Sequence, residues 1–468
     1  MSEKIREYIY SHKEEMLCVL GELVAIPSVK GEPAENAPFG KEPRRALDKM
    51  LEICGGMGFE TSCCENVVGT AELSVGGVAA LGILCHLDVV PAEPRSWHSD
   101  PFSMTERGGV LYGRGVIDDK GPAVASLFAM KCIKELGIPL KKGVKLIFGT
   151  DEENGSEDLE IYLSREKLPA AVFTPDGSFP IINIEKGMMR SRFEGKINGQ
   201  GSVVSLSGGA ISNAVPDRAE AVLEGVSRAD VDEVVSADAG GAEFTVESEN
   251  DRVKITCKGR SAHASTPESG INAVTALIGI VNRLFDSGKL PVNDGVQRDI
   301  LRGLAEVFPF GETDGTAAGL KCSDEKSGAL TCVFSIFGMD RSGCHGTVDV
   351  RFPTCASLDF VEKAERAAYA RAGCEFAGAM GDEPHCVDEN SDFVRRLLAV
   401  YERVEGENGR CIAIGGGTYV HNIEGGVAFG AERGDTDYHM HGADEFVTVE
   451  ELLKDAVLFA EAIVEICG

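Results

Sequence analysis

Side chains that commonly bind metal ions follow three short apolar runs of this chain. They are imidazoles and carboxylates, without a thiolate: His86 and Asp88 after residues 79–85, Asp151, Glu152 and Glu153 after residues 144–150, and Asp176 after residues 170–173. Nitrogen and oxygen ligands of this kind suit divalent ions in hydrolytic sites. The pattern therefore predicts a metal centre.

The apolar runs also predict the elements that position these side chains. Short apolar runs separated by helical stretches are typical of buried parallel strands. Open parallel sheets form their sites beyond the carboxyl ends of the strands. We therefore expect the side chains that follow the three runs to meet in space.

A dinuclear hydrolytic site needs two metal ions about 3.5 to 4 Å apart, a bridging carboxylate, terminal ligands and a nearby base. Asp118, in a loop flanked by glycines, is the candidate for the bridge. Asp88 follows His86 by two residues and is suited to orient its imidazole ring. Glu152 and Glu153 are adjacent, so their side chains diverge, and we expect one to bind metal and the other to transfer protons.

Each of these features has an ordinary structural interpretation when it is taken alone. A single histidine after a strand is commonly a hydrogen-bonded structural residue, and an acidic pair in a loop is commonly a solvated turn. Several ligand types at successive strand ends favour a metal site. Carboxylates gathered a few ångströms apart would otherwise repel one another by several kcal/mol at low effective dielectric.

Length and charge limit the kinds of protein that this chain can be. Its 468 residues exceed the roughly 250 to 300 at which a single hydrophobic core stops growing, so we expect at least two domains. The net charge of -29 would repel nucleic acid and anionic membranes, and we exclude both as partners.

The amino-terminal sequence and the cysteines predict a cytoplasmic protein. Residues 1–8 are charged and lack the apolar stretch of a signal peptide, and no apolar run approaches the length of a membrane span. The 15 cysteines are odd in number and include no pair at zinc-finger spacing. This pattern favours reduced thiols in a reducing compartment.

The order of elements predicts an α/β fold with an inserted domain. The following elements are expected: helices at residues 3–24, 43–57, 121–136, 270–285 and 357–371, polar alternating strands at 189–193 and 252–257, and a strand at 426–430. Alternating polar strands are typical of an antiparallel sheet with one solvated face. We therefore predict a catalytic domain of residues 1–186 plus 384–468, with a mixed, largely parallel sheet between helices, and an α+β lid domain of residues 187–383.

Five long segments, in this order along the chain, carry a resemblance to a known family. They are CHLDVVPAEPRSWHSDPFSMTERGGVLYGRGVIDDKGP (85–122), GTDEENGS (149–156), TPDGSFP (174–180), GGGTYV (415–420) and HGADEF (441–446). The chain resembles the peptidase V type of dinuclear zinc dipeptidase. This type belongs to a larger co-catalytic metallopeptidase family that includes carnosinases, aminoacylases and glutamate carboxypeptidases.

The resemblance implies a ligand set for two metal ions. It makes His86 and Asp176 ligands of one ion, Glu153 and His441 ligands of the other, and Asp118 the bridge between them. Zinc is the first choice for these ligands, and manganese or cobalt suits the same set.

The resemblance also implies catalytic roles. Glu152 matches the general base of the family, and Asp88 matches the carboxylate behind the first histidine. The peptide bond between Asp118 and Asp119 corresponds to one that tends to be cis in relatives.

The last ligand is less certain than the others, because two histidines lie close together. His441 matches the family by its spacing from the glycine-rich loop, and His439 is the alternative. Gly442 and Asp444 depart from the residues that are usual at their positions in the family.

Three further segments of the predicted lid, and the glycine-rich loop, match substrate-binding parts of the family. The resemblance places Asn213 near the reacting centre, His263 at the oxyanion, Arg351 at the substrate carboxylate and Gly417 in a loop whose backbone contacts the substrate. Taken without the resemblance, His263 would be interpreted as a histidine in the capping region before the Pro267 helix, and Arg351 as a member of a surface ion pair.

Together these features predict a metal-dependent dipeptidase that acts on very short peptides, and the family resemblance implies a monomer. An N-acyl-amino-acid amidohydrolase is an alternative, because the same metal residues serve that chemistry. A metal-binding scaffold without catalysis is a further alternative, which the presence of both Glu152 and a complete ligand set disfavours.

Overall fold

The computed structural model of the protein describes residues 2–77, 79–197, 199, 201–237, 240–293, 295–434 and 436–468. Its α-helices are α1 (Ser2–Ser11), α2 (Lys13–Val24), α3 (Lys41–Gly56), α4 (Lys120–Glu135), α5 (Glu157–Leu163), α6 (Arg228–Ser236), α7 (Ala273–Asp286), α8 (Val296–Val307), α9 (Leu358–Arg371), α10 (Asp392–Glu405) and α11 (Val449–Cys467). Short 3-10 helices lie at Pro94–Ser96, Glu152–Asn154, Pro267–Ser269 and Tyr419–Asn422.

The strands, in chain order, are β1 (Glu60–Cys64), β2 (Val68–Leu73), β3 (Ala79–His86), β4 (Thr105–Arg107), β5 (Val110–Tyr112), β6 (Gly143–Gly149), β7 (Ala171–Thr174), β8 (Ile181–Glu185), β9 (Gly187–Lys196), β10 (Val203–Gly208), β11 (Arg218–Glu224), β12 (Glu243–Glu249), β13 (Arg252–Lys258), β14 (Ser323–Asp324), β15 (Gly328–Ala329), β16 (Thr331–Asp340), β17 (Gly343–Phe352), β18 (Glu375–Asp382), β19 (His385–Cys386), β20 (Cys411–Ile414), β21 (Val427–Ala428) and β22 (Phe446–Thr448).

The chain divides into two compact units. The first contains Met1–Ile184, Cys386–Ile412 and Gly417–Gly468, and the second contains Glu185–His385 and Ala413–Gly416. The predicted domain boundaries, after residues 186 and 383, lie within two residues of these junctions, but the short segment Ala413–Gly416 was not predicted to belong with the second unit.

A mixed sheet forms the centre of the first unit, which confirms the predicted α/β fold. Its strand order is β1-β2-β6-β3-β7-β21-β8-β19, with β20 also paired to β8. Strand β3 pairs in parallel with β6 and β7, and β7 pairs in parallel with β21. These parallel strands include the three apolar runs, so their carboxyl ends lie at one edge of the sheet.

Hydrophobic side chains cover both faces of this sheet. On β3, Leu81 and Ile83 lie in the hydrophobic cluster that contains α4 and α11. Leu84, which points to the opposite face, packs in the cluster that contains Leu159 and Tyr162 of α5. This alternation follows from the two-residue repeat of a strand and makes the sheet the middle layer of the unit.

Helix α4 is central to the first unit because it is buried on all sides. Every residue from Lys120 to Ile133 is buried, as expected for a helix that is apolar around its circumference. The Lys120 ammonium group donates hydrogen bonds to the carbonyl oxygens of Leu23 and Ile26, beside the end of α2. These contacts anchor the start of α4, directly after the Asp118 loop.

The second unit contains an antiparallel sheet, as the alternating polar strands predicted. Its order is β12-β13-β11-β10-β16-β17-β9-β18. Apolar side chains from the sheet and from helices α6 to α9 form one continuous core. Helices α6, α7 and α9 begin at side-chain caps from Ser227, Asn272 and Ser357.

Several predicted boundaries were wrong. The amino-terminal helix is two helices, because the chain turns at His12 between α1 and α2. The strand expected over residues 426–430 is limited to Val427–Ala428, and Gly430 has the positive φ of 94° that ends extended pairing.

Throughout the described ranges, each helix is too short or too polar to cross a bilayer.

Candidate metal centre

Two groups of potential metal ligands lie together in the first unit. Within the residues that the structure describes, His86, Asp118 and Asp176 form one group, and Asp118, Glu153 and His441 form the other. The ligand atoms of each group lie within 4.8 Å of one another. The five residues that the sequence predicted as ligands are therefore brought together, and Asp118 is shared.

The two carboxylate oxygens of Asp118 face different histidines. Its Oδ1 lies 3.0 Å from Nε2 of His86, and its Oδ2 lies 3.0 Å from Nε2 of His441. His86 Nε2 is also 3.6 Å from Asp176 Oδ2, and His441 Nε2 is 3.2 Å from Glu153 Oε2. A carboxylate placed in this way is suited to bridge two cations.

The environment of this cluster fits cations. His86 Nε2 is buried. It lies 3.0 Å from Asp118 Oδ1, but none of the described residues is oriented to form a hydrogen bond with it. Burial and the neighbouring Asp118 carboxylate raise the pKa of Glu153 to about 7. Asp118 and Glu153 raise the pKa of His441 to about 11. The cluster therefore stabilises positive charge at its centre.

Glu445 holds the loop that carries Asp118. Its Oε1 accepts hydrogen bonds from the backbone N–H of Gly115 and Ile117 at 2.9 and 3.1 Å. Its Oε2 accepts a hydrogen bond from Arg114 Nη1 at 2.6 Å, and Arg114 Nη2 donates to the carbonyl oxygen of Gly442 at 2.9 Å. The loop of the bridging residue is thereby tied to the segment that carries His441.

Contacts of Trp97 and His98 connect their loop to Arg114 and to the segment that carries His441. The guanidinium group of Arg114 lies over the Trp97 ring, 5.3 Å from a ring centroid. Next to Trp97, the backbone N–H of His98 donates to Asp444 Oδ1 at 2.8 Å, and His98 Nδ1 lies 2.5 Å from Asp444 Oδ2. Asp444, which departs from the residue usual at its position, thus pairs with a residue 346 positions away. Trp97 packs against the Asp118 loop through Arg114.

The acidic loop after β6 is held by Asp88. The backbone N–H groups of Glu152 and Glu153 each donate to a carboxylate oxygen of Asp88 at 3.2 Å. His86 Nδ1 lies 3.0 Å from the carbonyl oxygen of Asp88 and 3.5 Å from its Oδ1. The sequence assigned the orientation of the His86 ring to the Asp88 carboxylate, but the closer contact is the backbone carbonyl.

Glu152 lies beside the ligands but belongs to neither ligand group. Burial raises the pKa of Glu152 well above its usual range, and the carboxylates of Asp176 and Glu153 act in the same direction.

The peptide bond between Asp118 and Asp119 is cis, which confirms the expectation from the family resemblance. His439 is exposed, and its ring lies edge-on to Phe446 rather than in the ligand groups.

The second unit contains three of the predicted substrate contacts. The segments of Asn213 and His263 are adjacent, since the backbone N–H of Ala264 donates to the Asn213 carbonyl oxygen at 2.9 Å. The exposed His263 ring has its Nδ1 2.7 Å from Ser265 Oγ. Gly417 belongs to the first unit.

Arg351, also in the second unit, is buried, with only 4% of its surface exposed. Its Nε and Nη2 donate to the two carboxylate oxygens of Asp349 at 2.6 and 3.2 Å, and its Nη1 donates to the Gly415 carbonyl oxygen at 3.0 Å. The alternative interpretation of a surface ion pair is therefore wrong. The guanidinium group is fixed by an internal carboxylate.

Two acidic residues near the candidate site, Glu432 and Glu445, were not predicted from the sequence. Glu432 follows β21, and its backbone N–H donates to the carbonyl oxygen of Gly177, next to Asp176, at 2.8 Å. Burial, together with the nearby carboxylates of Asp176 and Asp118, raises the pKa of Glu432 to about 7. The strand-end signal that identified the other acidic residues also applies to Glu432, whereas Glu445 had no local signal of this kind.

Comparisons with known proteins identify relatives along nearly the whole chain. Residues 82–465 match peptidase family M20/M25/M40. The Bacillus subtilis (strain 168) protein named "Putative dipeptidase YtjP" is 33% identical over 469 residues, which cover 97% of each chain.

Solved structures share the fold at low sequence identity. Human carnosine dipeptidase 1 aligns with a TM-score of 0.60 at 17% identity, covering 99% of this chain and 98% of the other. The di-peptidase Dug1p from Saccharomyces cerevisiae aligns with a TM-score of 0.60 at 13% identity, with the same coverage of 99% and 98%. The family match and the full-length relative confirm the resemblance seen in the sequence, and we conclude that this chain belongs to peptidase family M20/M25/M40 and is a metallopeptidase.

Proposed function

We propose that this metallopeptidase hydrolyses dipeptides with the help of two divalent metal ions. The observation that carries the proposal is the pair of ligand groups that share Asp118, with Glu152 beside Glu153 but outside both groups. The name of the Bacillus subtilis relative, which matches 97% of this chain, supports dipeptides as the substrate class.

His86, Asp118 and Asp176 would hold one ion, and Asp118, Glu153 and His441 would hold the other. Zinc is the preferred ion for imidazole and carboxylate ligands, and manganese or cobalt suits the same set. When bound, the ions supply the Lewis acidity that activates a water molecule and polarises the scissile carbonyl.

Glu152 acts as the general base and later as the general acid. It accepts a proton from the attacking water and returns it to the leaving amine. Its backbone is fixed by the hydrogen bond to Asp88, and its neighbour Glu153 faces His441. Of these two adjacent side chains, Glu152 therefore transfers protons and Glu153 binds an ion.

Substrate contacts are assigned to Asn213, His263, Arg351 and Gly417. An imidazole donor at His263 stabilises the charge that develops on the carbonyl oxygen, and a guanidinium group at Arg351 binds the carboxylate of a dipeptide. Asp349 fixes the guanidinium plane of Arg351 through two hydrogen bonds. A carboxylate-binding arginine restricts hydrolysis to short peptides with a free carboxyl terminus.

We also propose that the protein acts as a cytoplasmic monomer. All 15 cysteines fall within the described ranges, and none of them is joined in a disulfide there, which is compatible with a reducing compartment. Light scattering coupled to size-exclusion chromatography measures the oligomeric state, and a dimer mass would contradict the proposal.

The variant Glu152→Gln tests the proposed function. It should keep two ions per chain, measured by elemental analysis, while kcat for a dipeptide such as Ala-Ala falls by about 10²- to 10⁴-fold, because the proton carrier is lost. The matched control is Glu157→Gln, which changes an exposed carboxylate a few residues along the chain and should retain the wild-type kcat.

Two outcomes would contradict the proposal. Full activity of Glu152→Gln would refute the assigned base. Wild-type hydrolysis of N-acetyl amino acids, without hydrolysis of any member of a dipeptide panel, would refute the proposed substrate class and favour an amidohydrolase.

A further inference from the structure

A buried hydrogen bond connects the 3-10 helix after the glycine-rich loop to the start of α5. The hydroxyl group of Tyr419 donates to Asp158 Oδ2 at 2.5 Å. Both side chains are buried, with 2% of Tyr419 and 0% of Asp158 exposed. The two residues are 261 positions apart in the sequence, so this contact joins segments that no local element connects.

The same oxygen of Asp158 also holds the strand end that leads to the acidic loop. It accepts hydrogen bonds from the backbone N–H groups of Thr150 at 2.5 Å and Asp151 at 3.0 Å. These two residues immediately precede Glu152. Asp158 therefore fixes the position at which the backbone leaves β6.

Gly149 shows how closely these groups are packed. A Cβ atom at this position would lie 1.9 Å from the Tyr419 hydroxyl oxygen and 2.4 Å from Asp158 Oδ2. Contacts this short are sterically forbidden, so the hydroxyl and the carboxylate occupy the space that any larger residue would need. The Tyr419 contact with Asp158 thus depends on glycine at the end of β6.

Asp88 fixes the next part of the same loop. Its carboxylate accepts the backbone N–H groups of Glu152 and Glu153, while Asp158 accepts those of the two residues before them. Four successive backbone donors are therefore held by two buried carboxylates. Tyr419, which lies in a distant segment of the chain, donates a further hydrogen bond to the carboxylate of Asp158.

We propose that Tyr419 and Asp158 are positioning residues that hold Glu152 and Glu153 in their working geometry. The inference rests on the proposed roles of these two glutamates. Tyr419 lies two residues after Gly417, so the hydrogen bond also links the predicted substrate-contacting loop to the base and to one ligand. Displacement of a catalytic group by a fraction of an ångström lowers the rate without abolishing substrate binding.

The test compares Tyr419→Phe with Tyr162→Phe. Tyr162 belongs to the same hydrophobic cluster, and its buried hydroxyl has no hydrogen-bond partner among the described residues. Tyr419→Phe should lower kcat for Ala-Ala by about 10- to 100-fold, the usual effect of removing an outer support of a metal site. Its KM should stay within about twofold of the wild-type value, with two zinc ions retained, whereas Tyr162→Phe should match the wild type.

A double-mutant cycle distinguishes positioning from general loss of packing. Asp158→Ala should lower kcat at least as much as Tyr419→Phe, because it also removes the acceptor of the Thr150 and Asp151 N–H groups. The double variant should be no slower than Asp158→Ala, since the Tyr419 hydroxyl group acts only through this carboxylate. Additive effects on kcat would overturn the inference. So would equal kcat values for Tyr419→Phe and Tyr162→Phe.

Hydrogen exchange supplies a readout that does not depend on turnover. In the zinc-loaded protein, the amide protons of residues 150–153 should exchange faster in Tyr419→Phe than in the wild type or in Tyr162→Phe. Unchanged exchange would overturn the inference even if the wild type hydrolysed no dipeptide. Absence of dipeptide hydrolysis by the wild type would contradict the proposed substrate class, whereas unchanged hydrogen exchange would contradict the positioning role.

Discussion

Asp118 is the predicted bridge between two ions, and its two carboxylate oxygens face separate histidines. The sequence indicated a loop carboxylate flanked by glycines as the bridge, and the structure brings His86 and His441 to 3.0 Å from its opposite oxygens. All five predicted ligands lie in the two groups. Metal binding by these groups stays a prediction.

The choice between two histidines can be tested directly. His441→Ala should reduce bound zinc from two ions per chain to one, since it removes a ligand from one group only. We expect kcat for dipeptides to fall by about 10³-fold, corresponding to the loss of several kcal/mol of electrostatic stabilisation. Elemental analysis after dialysis measures the bound ions.

His439→Ala is the matched control for that experiment. The His439 ring lies outside both ligand groups, with its centroid 5.7 Å from that of Phe446. This variant should keep both ions and its activity. Loss of an ion from His439→Ala, but not from His441→Ala, would reverse the assignment.

At the scale of elements, the loops depend on long-range side-chain contacts rather than on local turns. The contact between Arg114 and Glu445 joins residues 331 positions apart. Local sequence patterns predict strands and helices, but they carry no information about which distant carboxylate holds a given loop. This is why strand ends indicated His86, Glu153 and Asp176, whereas His441 was inferred only from the family resemblance and Glu445 was not predicted.

The loop that carries Asp118 should be sensitive to loss of Glu445. Glu445→Ala removes the acceptor of the Gly115 and Ile117 N–H groups and leaves the buried Arg114 charge without its carboxylate. We expect the free energy of unfolding, measured by urea denaturation, to fall by about 3–5 kcal/mol.

Asp444→Ala is the corresponding control in the same segment. Asp444 pairs with the His98 side chain, which is 82% exposed, and an exposed pair contributes about 1 kcal/mol or less. Equal destabilisation by Asp444→Ala and Glu445→Ala would contradict the assigned role of Glu445.

Helix α9 introduces a pH dependence into the second unit. Burial raises the pKa of Glu365 to about 8, although the hydroxyl groups of Ser191 and Tyr369 act in the opposite direction. Between the ordinary pKa of glutamate and pH 8, the folded state therefore keeps this group protonated while the unfolded state does not. The contribution of Glu365 to stability is present at low pH and is lost as the pH rises through this window.

Glu365→Gln should remove this dependence because the amide is neutral at every pH. Relative to the wild type, the variant should gain roughly 4 kcal/mol of unfolding free energy between pH 5 and pH 8.5, measured by urea denaturation at both values. Asp359→Asn, which changes an exposed carboxylate on the same helix, should show no such gain. If the unfolding free energies of Glu365→Gln and the wild type differed by the same amount at pH 5 and pH 8.5, the raised pKa of Glu365 would be contradicted.

Element types were more predictable than element ends. The parallel strands followed from short apolar runs, because strands covered on both faces have little polar alternation. Helix α8 was not predicted, although Ile300, Leu301, Leu304 and Val307 have the helical spacing of a buried face. The break at His12 was missed because the helical apolar pattern continues across it.

At the scale of the whole molecule, the two units have different sheets, and the sequence indicated both types. The first unit has parallel strands that bring the predicted ligands His86, Glu153 and Asp176 to one edge. The second unit has an antiparallel sheet, with Arg351 on β17 and with Asn213 and His263 in the loops after β10 and β13. Changes in strand patterning near residues 187 and 383 marked the insertion. The return of Ala413–Gly416 to the second unit had no such signal, because four residues are too few to show a period.

The proposed function requires two cations within one cluster of side chains. The most direct test is anomalous diffraction from crystals of the zinc-loaded protein, recorded on both sides of the zinc absorption edge. We predict two anomalous peaks about 3.5 to 4 Å apart, one beside His86 and Asp176, the other beside Glu153 and His441, with Asp118 contacting both. A single peak, or zinc bound outside this cluster, would contradict the account.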